Sequence, residues 1–176
     1  SFRYTDRNRW RVEYDRGDRR LARFRPDFDG AAPGPEVAFL EGTPGNDIEL
    51  AFRFRFDPNP ALTGSPDLSV LLAADAGAST FTELRIAAGS EAGLYTVRDG
   101  IATRISGAPL FTLAPAEDAG YREVRVRRSE GRITVHVEAE PWLEVPDPDP
   151  QTAGELALGS REDAVFFDDI RTREAP

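Results

Sequence analysis

The stretch "DIELAFRFRF", residues 47–56, is the clearest guide to the fold because apolar and polar side chains alternate along it. A period of two is typical of a β-strand with one buried face and one face in water. The "DPNP" sequence at 57–60 should end the strand, since proline removes a backbone donor and fixes φ. The predicted buried face carries only apolar side chains: Ile48, Leu50, Phe52, Phe54 and Phe56.

The same alternation recurs on both sides of this stretch. "DLSVLLAAD" (67–75) and "TFTELRIAA" (80–88) predict two further strands. Asp99-Gly100 favours the positive-φ turn of a tight hairpin, and a second hairpin is predicted around residues 129–131. Further strands are predicted at both ends of the chain, over residues 10–14, 21–25, 36–42, 154–160 and 164–172.

These segments predict the architecture. No segment shows a convincing helical repeat, and roughly ten to thirteen short strands separated by Gly, Pro and Asp indicate an all-β antiparallel sandwich of the jelly-roll type. A chain of 176 residues is expected to form one domain, residues 1–176.

The amino-acid composition argues against several classes of function. A net charge of -9 disfavours nucleic-acid binding, which normally needs a basic face. No run of apolar residues is long enough to span a membrane, and the absence of cysteine excludes disulfides and thiolate metal sites. The start at Ser1, in a chain without methionine, is compatible with a processed protein.

The last fifty or so residues resemble the C-terminal half of concanavalin A-like lectin and glucanase jelly rolls. Those domains carry a "W-x-x-V-x-V" strand, an "I-x-V-x-V-D-G" strand, a "G-x-I-x-L" strand and a closing "V-x-F-D-N/D-I/V-x-V" strand. The matching segments here are Tyr121–Val126, Ile133–Glu138, Gly154–Leu158 and Val165–Thr172. The opening "RWRVEYDRGDRRLARF" (9–24) also looks like the family's "W-x-V-x-x-G-x-L" start.

The resemblance implies a fold and a range of activities. Its members include glycan-binding modules, laminarinase-like family 16 glucanases and 3-keto-disaccharide hydrolase-like domains. The "E-x-D-x-x-E" strand of the glucanases is missing here, which favours a non-catalytic module that binds carbohydrate outside the cytoplasm. Two alternatives remain, namely a structural subunit docking onto a protein complex of the cell envelope and a saccharide-acting hydrolase.

Four residues are candidates for ligand binding. His136 alternates with the apolar residues of its strand, so it points to the opposite face, and Trp142 could stack on a sugar ring from an exposed rim. Arg53 and Arg55 lie on the polar face of the 47–56 strand. Each has a plainer interpretation: a strand histidine, a tryptophan packed under a loop, and arginines paired with carboxylates of neighbouring strands.

One residue is a candidate metal ligand. Family 16 enzymes commonly hold a structural calcium with an aspartate of the last strand, and "FDDIRT" places Asp168 at that position. Calcium prefers hard oxygen ligands, so the resemblance implies a calcium site at Asp168. An arginine could equally be the partner of this carboxylate.

Overall fold

The computed structural model describes residues 2–4, 10–15, 18–23, 36–42, 46–56, 67–87, 92–107, 120–161 and 165–175, and the statements below refer to these residues. They form fourteen β-strands and no helix. No helix in this part of the chain is long and apolar enough to cross a membrane. The strands are β1 (Phe2–Tyr4), β2 (Trp10–Asp15), β3 (Asp18–Arg23), β4 (Glu36–Leu40), β5 (Ile48–Phe56), β6 (Asp67–Ala74), β7 (Thr80–Ala87), β8 (Gly93–Arg98), β9 (Ile101–Gly107), β10 (Arg122–Ser129), β11 (Arg132–Val137), β12 (Glu140–Pro146), β13 (Glu155–Ser160) and β14 (Val165–Glu174).

The strands build two seven-stranded sheets. Sheet I has the order β1-β4-β13-β6-β7-β8-β9, and sheet II has the order β12-β11-β10-β5-β14-β3-β2. Neighbouring strands pair antiparallel in both sheets. The predicted all-β antiparallel sandwich is therefore confirmed.

The main core lies between the inner faces of the two sheets. Strand β5 faces it as predicted, with Leu50, Phe52 and Phe54 buried and the intervening Arg53 exposed. Phe167 of β14 contacts both Phe52 and Trp10, with ring centroids 5.8 and 6.2 Å apart. Sheet I adds Leu68, Val70, Leu72, Leu84, Ile86, Leu94, Leu156 and Leu158 to the same cluster.

Both predicted hairpins are present. Asp99 and Gly100 have φ of 51° and 79° and join β8 to β9, while Glu130 and Gly131 have φ of 53° and 70° and join β10 to β11. Two successive positive φ values give the turn a twist that matches the flanking strands, which is why Gly is favoured at the second position.

The segment after β11 differs from the prediction. No strand was predicted over residues 140–146, whereas these residues form β12 after a turn at Glu138 and Ala139, both with positive φ. Strand β12 is an edge of sheet II, where a proline can sit without breaking a ladder bond. The corner of aspartates and prolines begins only at Asp147.

A buried arginine holds that corner together. Arg128 and Asp147 side chains are each 2% exposed, and the Arg128 Nε donates to Asp147 Oδ2 at 2.5 Å. The same guanidinium donates to the carbonyl oxygens of Thr152 at 2.9 Å and Asp149 at 2.6 Å. One cation therefore satisfies one carboxylate and two backbone acceptors, as buried polar groups require.

The central strands of sheet I are also buried on the face that points away from sheet II. Since Leu84 and Ile86 of β7 point into the main core, the alternating residues Phe81, Glu83 and Arg85 point to the opposite side. A second apolar cluster lies on this outer face: Val37, Phe39, Leu71, Ala74, Phe81, Val97 and Ala157.

Candidate functional site

Four of the five residues predicted from the sequence lie on the outer face of sheet II. Arg53 and Arg55 come from β5, His136 from β11 and Asp168 from β14, and all are at least partly exposed. The remaining residue, Trp142, is 9% exposed and belongs to the main core between the sheets. Its indole is therefore in the interior, not on the exposed rim from which it was expected to stack on a sugar.

The two arginines of β5 interact with neighbouring strands. The Arg53 Nη1 lies 3.8 Å from Asp168 Oδ2, and its guanidinium lies 5.2 Å from the centre of the Tyr121 ring. The Arg55 guanidinium lies 5.4 Å from the Tyr121 ring and 4.8 Å from the Phe166 ring. The contact of Arg53 with Asp168 corresponds to the plainer interpretation of pairing with a carboxylate, whereas these contacts of Arg55 are with aromatic rings.

The predicted calcium site at Asp168 stays a prediction, because calcium takes six to eight oxygen ligands and the contacts of this carboxylate are with the protein itself. Asp168 Oδ1 accepts the backbone N–H of Asp169 at 2.9 Å, and the Asp169 carboxylate is paired with Arg171. Among the described residues, no group of three or more His, Cys, Asp or Glu side chains could hold a metal ion. The geometry favours Arg53 as the partner of Asp168.

His136 lines an open groove on the outer face of sheet II, which we call the His136 groove. Its volume is about 360 Å³. It crosses three adjacent strands, since Arg127 lies opposite both Glu49 of β5 and Thr134 of β11 in the register. The lining residues are Glu49, Glu123, Arg125, Arg127, Thr134, His136 and Ala139.

The outer face of sheet I carries a buried polar group of side chains, which we call the Glu83 cluster: Ser69, Glu83, Arg85, Tyr95 and Arg161. Glu83 is fully buried, and its carboxylate accepts the Ser69 hydroxyl at 2.6 Å and the Arg85 Nη2 at 2.9 Å. The Arg161 Nη2 donates to both carboxylate oxygens, at 3.0 and 2.7 Å. The Arg85 guanidinium lies 4.2 Å from the centre of the Tyr95 ring.

The electrostatics of this cluster keep Glu83 ionised. Burial raises the pKa of the Glu83 carboxyl, but the charge of Arg161 and the hydrogen bonds from Arg85 and Ser69 lower it more, so the pKa lies below its usual 4.5. Opposite charge and donated hydrogen bonds both favour the carboxylate form. The cluster therefore holds one permanent negative charge between two permanent positive charges.

Sequence reasoning missed the Glu83 cluster. The alternation of "TFTELRIAA" did put Glu83 and Arg85 on the polar side of β7, where solvent exposure is the ordinary expectation. A Glu and an Arg two residues apart on one strand face are a weak signal of an ion pair. No sequence signal linked them to Arg161, which follows β13 and is 78 residues away from Glu83.

Comparison with known proteins bears on the fold. No model of a protein family matches the chain, and no curated protein matches it in sequence. Among solved structures, the carbohydrate-binding module CBM66 from Bacillus subtilis superposes with a TM-score of 0.69 at 10% identity, over 98% of this chain and 95% of that one. A Parabacteroides distasonis protein, provisionally named a glycosyl hydrolase, gives 0.65 at 15% identity over 98% and 93%. Sheep galectin-11, solved with glycerol, gives 0.58 at 16% identity over 81% and 100%.

These similarities define the class of fold. At such low identities they show the architecture alone, which is a lectin-like β-sandwich shared by carbohydrate-binding modules and galectins. The narrower resemblance to the concanavalin A-like family stays a prediction. Proteins with this fold include a binding module and a provisional hydrolase, so the fold does not assign an activity to this chain.

Proposed function

We propose that the protein is a non-catalytic carbohydrate-binding module whose saccharide site is the Glu83 cluster on the outer face of sheet I. The observation that carries the proposal is a fully buried carboxylate, bound by two arginines beside an aromatic ring, on the face opposite the main core. The lectin-like fold supports the ligand class.

The physical cost of this arrangement supports a functional role. Removing charges from water carries a large desolvation penalty, and a well-packed apolar group in the same place is often equally stable or more stable. The neighbouring positions of this face are already apolar, among them Leu71 and Phe81. Ionised groups with perturbed pKa values that are retained in such surroundings are candidates for a functional site.

The chemistry of the cluster suits sugar hydroxyls. Planar guanidinium groups donate several hydrogen bonds in a fixed geometry, and a tyrosine ring offers an apolar face beside them. Arg161 is the outermost of the charged members, with its side chain 26% exposed against 10% for Arg85 and 0% for Glu83. We expect Arg161 to make the first contact with a ligand.

The state of Glu83 supports binding over hydrolysis. A glycosidase needs a carboxylic acid that donates a proton, and its pKa is typically raised. The pKa of Glu83 is lowered instead, mainly because the charge of Arg161 and the bonds from Arg85 and Ser69 outweigh burial. Incubation with oligosaccharides should therefore release no new reducing ends, and release above a heat-inactivated control would favour the hydrolase alternative.

A glycan array followed by calorimetry on the best ligand tests the proposal. Arg161→Gln should weaken binding by about tenfold or more, since it removes a charged donor. Arg161→Lys keeps a positive charge near Glu83 but loses the planar guanidinium group. This variant therefore distinguishes a loss of saccharide binding from a loss of protein stability. The matched control is Arg132→Gln, because Arg132 is 54% exposed and pairs with Glu144 at the surface of sheet II.

A variant that fails to fold can be distinguished from a folded variant that fails to bind. Melting curves identify any variant that fails to fold, and binding is compared only among folded proteins. An array without a saccharide signal, or an affinity that is the same in wild type and both Arg161 variants, would contradict the proposed site.

An extracytoplasmic location is part of the proposal, and it is based on the usual location of the family that the sequence resembles. Cell fractionation followed by detection of the protein tests it. Recovery chiefly in the cytosolic fraction would count against it.

A further inference from the structure

The His136 groove is a second candidate binding site, and it lies on the opposite side of the sandwich from the Glu83 cluster. It is open to solvent and has a volume of about 360 Å³, near the lower end of the range for small-ligand sites. The groove is separate from the site of the proposed function, because none of its lining residues belongs to the Glu83 cluster.

Four hydrogen-bond donors form a square on two neighbouring strands of the groove. Arg125 lies directly opposite His136 in the register, and Arg127 lies directly opposite Thr134. Side chains at facing positions of antiparallel strands are close neighbours, and residues two apart on one strand share a face. Two guanidinium groups, an imidazole and a hydroxyl therefore point to the same side of the sheet.

Two of these donors, Arg125 and His136, keep hydrogen-bonding capacity for a ligand, whereas the Arg127 Nε donates to the Ser129 hydroxyl at 2.9 Å. The Arg125 side chain is 51% exposed, and its nearest carboxylates are Glu123 at 3.2 Å and Glu49 at 3.8 Å, the second beyond hydrogen-bond distance. Glu49 is already bound by Arg173 at 2.6 Å. Within the described part of the chain, the His136 side chain makes no hydrogen bond.

Two carboxylates on the walls restrict what the groove can bind. Glu49 and Glu123 would repel a bare inorganic oxyanion, while both can accept hydrogen bonds from hydroxyl groups. A ligand that satisfies the whole lining must therefore carry an anionic group for the donors and hydroxyl groups for the acceptors. Arginine suits the anionic part because its planar fork matches a carboxylate.

We propose that the His136 groove binds a sugar acid, that is, a saccharide unit with one carboxylate and several hydroxyl groups, such as a uronic acid residue. The carboxylate contacts Arg125, Arg127 and His136, and the ring hydroxyls donate to Glu123 and Glu49. Neutral sugars lack the group that the donors need, and simple acids lack the hydroxyls that the walls need.

The single histidine of the chain gives a direct readout. The imidazole C–H signal of His136 is followed by NMR at fixed pH while glucuronate, glucose, acetate or phosphate is added. A saturable shift with glucuronate, at concentrations where the other three cause little change, is the expected result. Equal shifts with glucose, or equal shifts with acetate or phosphate, would overturn the assignment to a sugar acid.

Variants then locate the site. Arg125→Gln should weaken glucuronate binding by about tenfold or more, and the fold should survive because this side chain is half exposed. Arg132→Gln on the same sheet surface should leave the affinity unchanged, as should Arg161→Gln on the other sheet. Unchanged affinity in Arg125→Gln overturns the site. A loss in Arg161→Gln as well would show that glucuronate binds elsewhere and would also overturn it.

Discussion

Replacing Arg128 by methionine should cause the largest loss of stability of any single substitution proposed for this chain. The side chain is 2% exposed, and its three donor nitrogens bind Asp147 and the carbonyls of Asp149 and Thr152. Methionine fills a similar space but leaves the buried Asp147 charge and two backbone acceptors without this partner. Removal of one member of a buried ion pair typically costs about 3–5 kcal/mol of unfolding free energy.

The expected loss can be measured by urea unfolding. Both tryptophans, Trp10 and Trp142, are buried in the main core, so their fluorescence reports on its exposure. At about 2–4 °C per kcal/mol for a domain of this size, Arg128→Met should also lower the melting temperature by about 6–20 °C. Arg132→Met is the matched control, because its exposed ion pair with Glu144 is expected to contribute under about 1 kcal/mol.

A companion variant separates the lost ion pair from lost packing. If the unpaired charge of Asp147 is the main cost, then Arg128→Met combined with Asp147→Leu should recover part of the stability. A loss below about 1 kcal/mol in Arg128→Met, or a loss no greater than in Arg132→Met, would show that the buried ion pair does not stabilise the corner.

Three further results are expected. The pKa of Glu83 is lowered in the folded state, so the free-energy advantage of wild type over Glu83→Gln should be full above pH 4.5 and should shrink as the pH falls below it in acid unfolding series. Gly154→Ala should lower the free energy of unfolding in urea by about 1–3 kcal/mol, because the new Cβ would lie 2.7 Å from the Ala73 Cα. Gly77→Ala is the control, since a Cβ there would have only the Asp75 side chain near it. Calcium and chelator should give equal melting temperatures, since the carboxylate of Asp168 faces Arg53; a rise with calcium that disappears in Asp168→Ala would establish the metal site instead.

Most of the strands could be predicted because each depends on a pattern of residues that are close together in the sequence. The alternation of β5 and the Asp99-Gly100 turn depend on neighbours in sequence, and both appear in the structure as expected. The face on which His136 lies also followed from alternation with Ile133 and Val135, which are buried.

The parts that could not be predicted depend on tertiary position. Proline normally disfavours a strand, and Pro141 is tolerated because β12 is the edge of sheet II. Trp142 belongs to that strand, and its side chain packs in the main core. Alternation separates the two faces of β7 but cannot show that both are buried, so it gives no sign that Glu83 is shielded from water. Its partner Arg161 comes from a distant segment that only the folded sheet brings near.

The position of the last two strands has a consequence for biosynthesis. Strand β13 lies between β4 and β6, and β14 lies between β5 and β3, so each fills a central place in its sheet. A nascent chain that has left the ribosome only as far as residue 154 can form the β1-β4 pair and the β6-to-β9 meander of sheet I, and the β2-β3 hairpin and the β12-β11-β10-β5 group of sheet II. It cannot join the two parts of either sheet, because β13 and β14 are still missing. Neither sheet is continuous until residues 155–174 emerge, so the two sheets cannot be completed before residue 174 has left the ribosome, and premature termination within this segment leaves apolar strand edges uncovered.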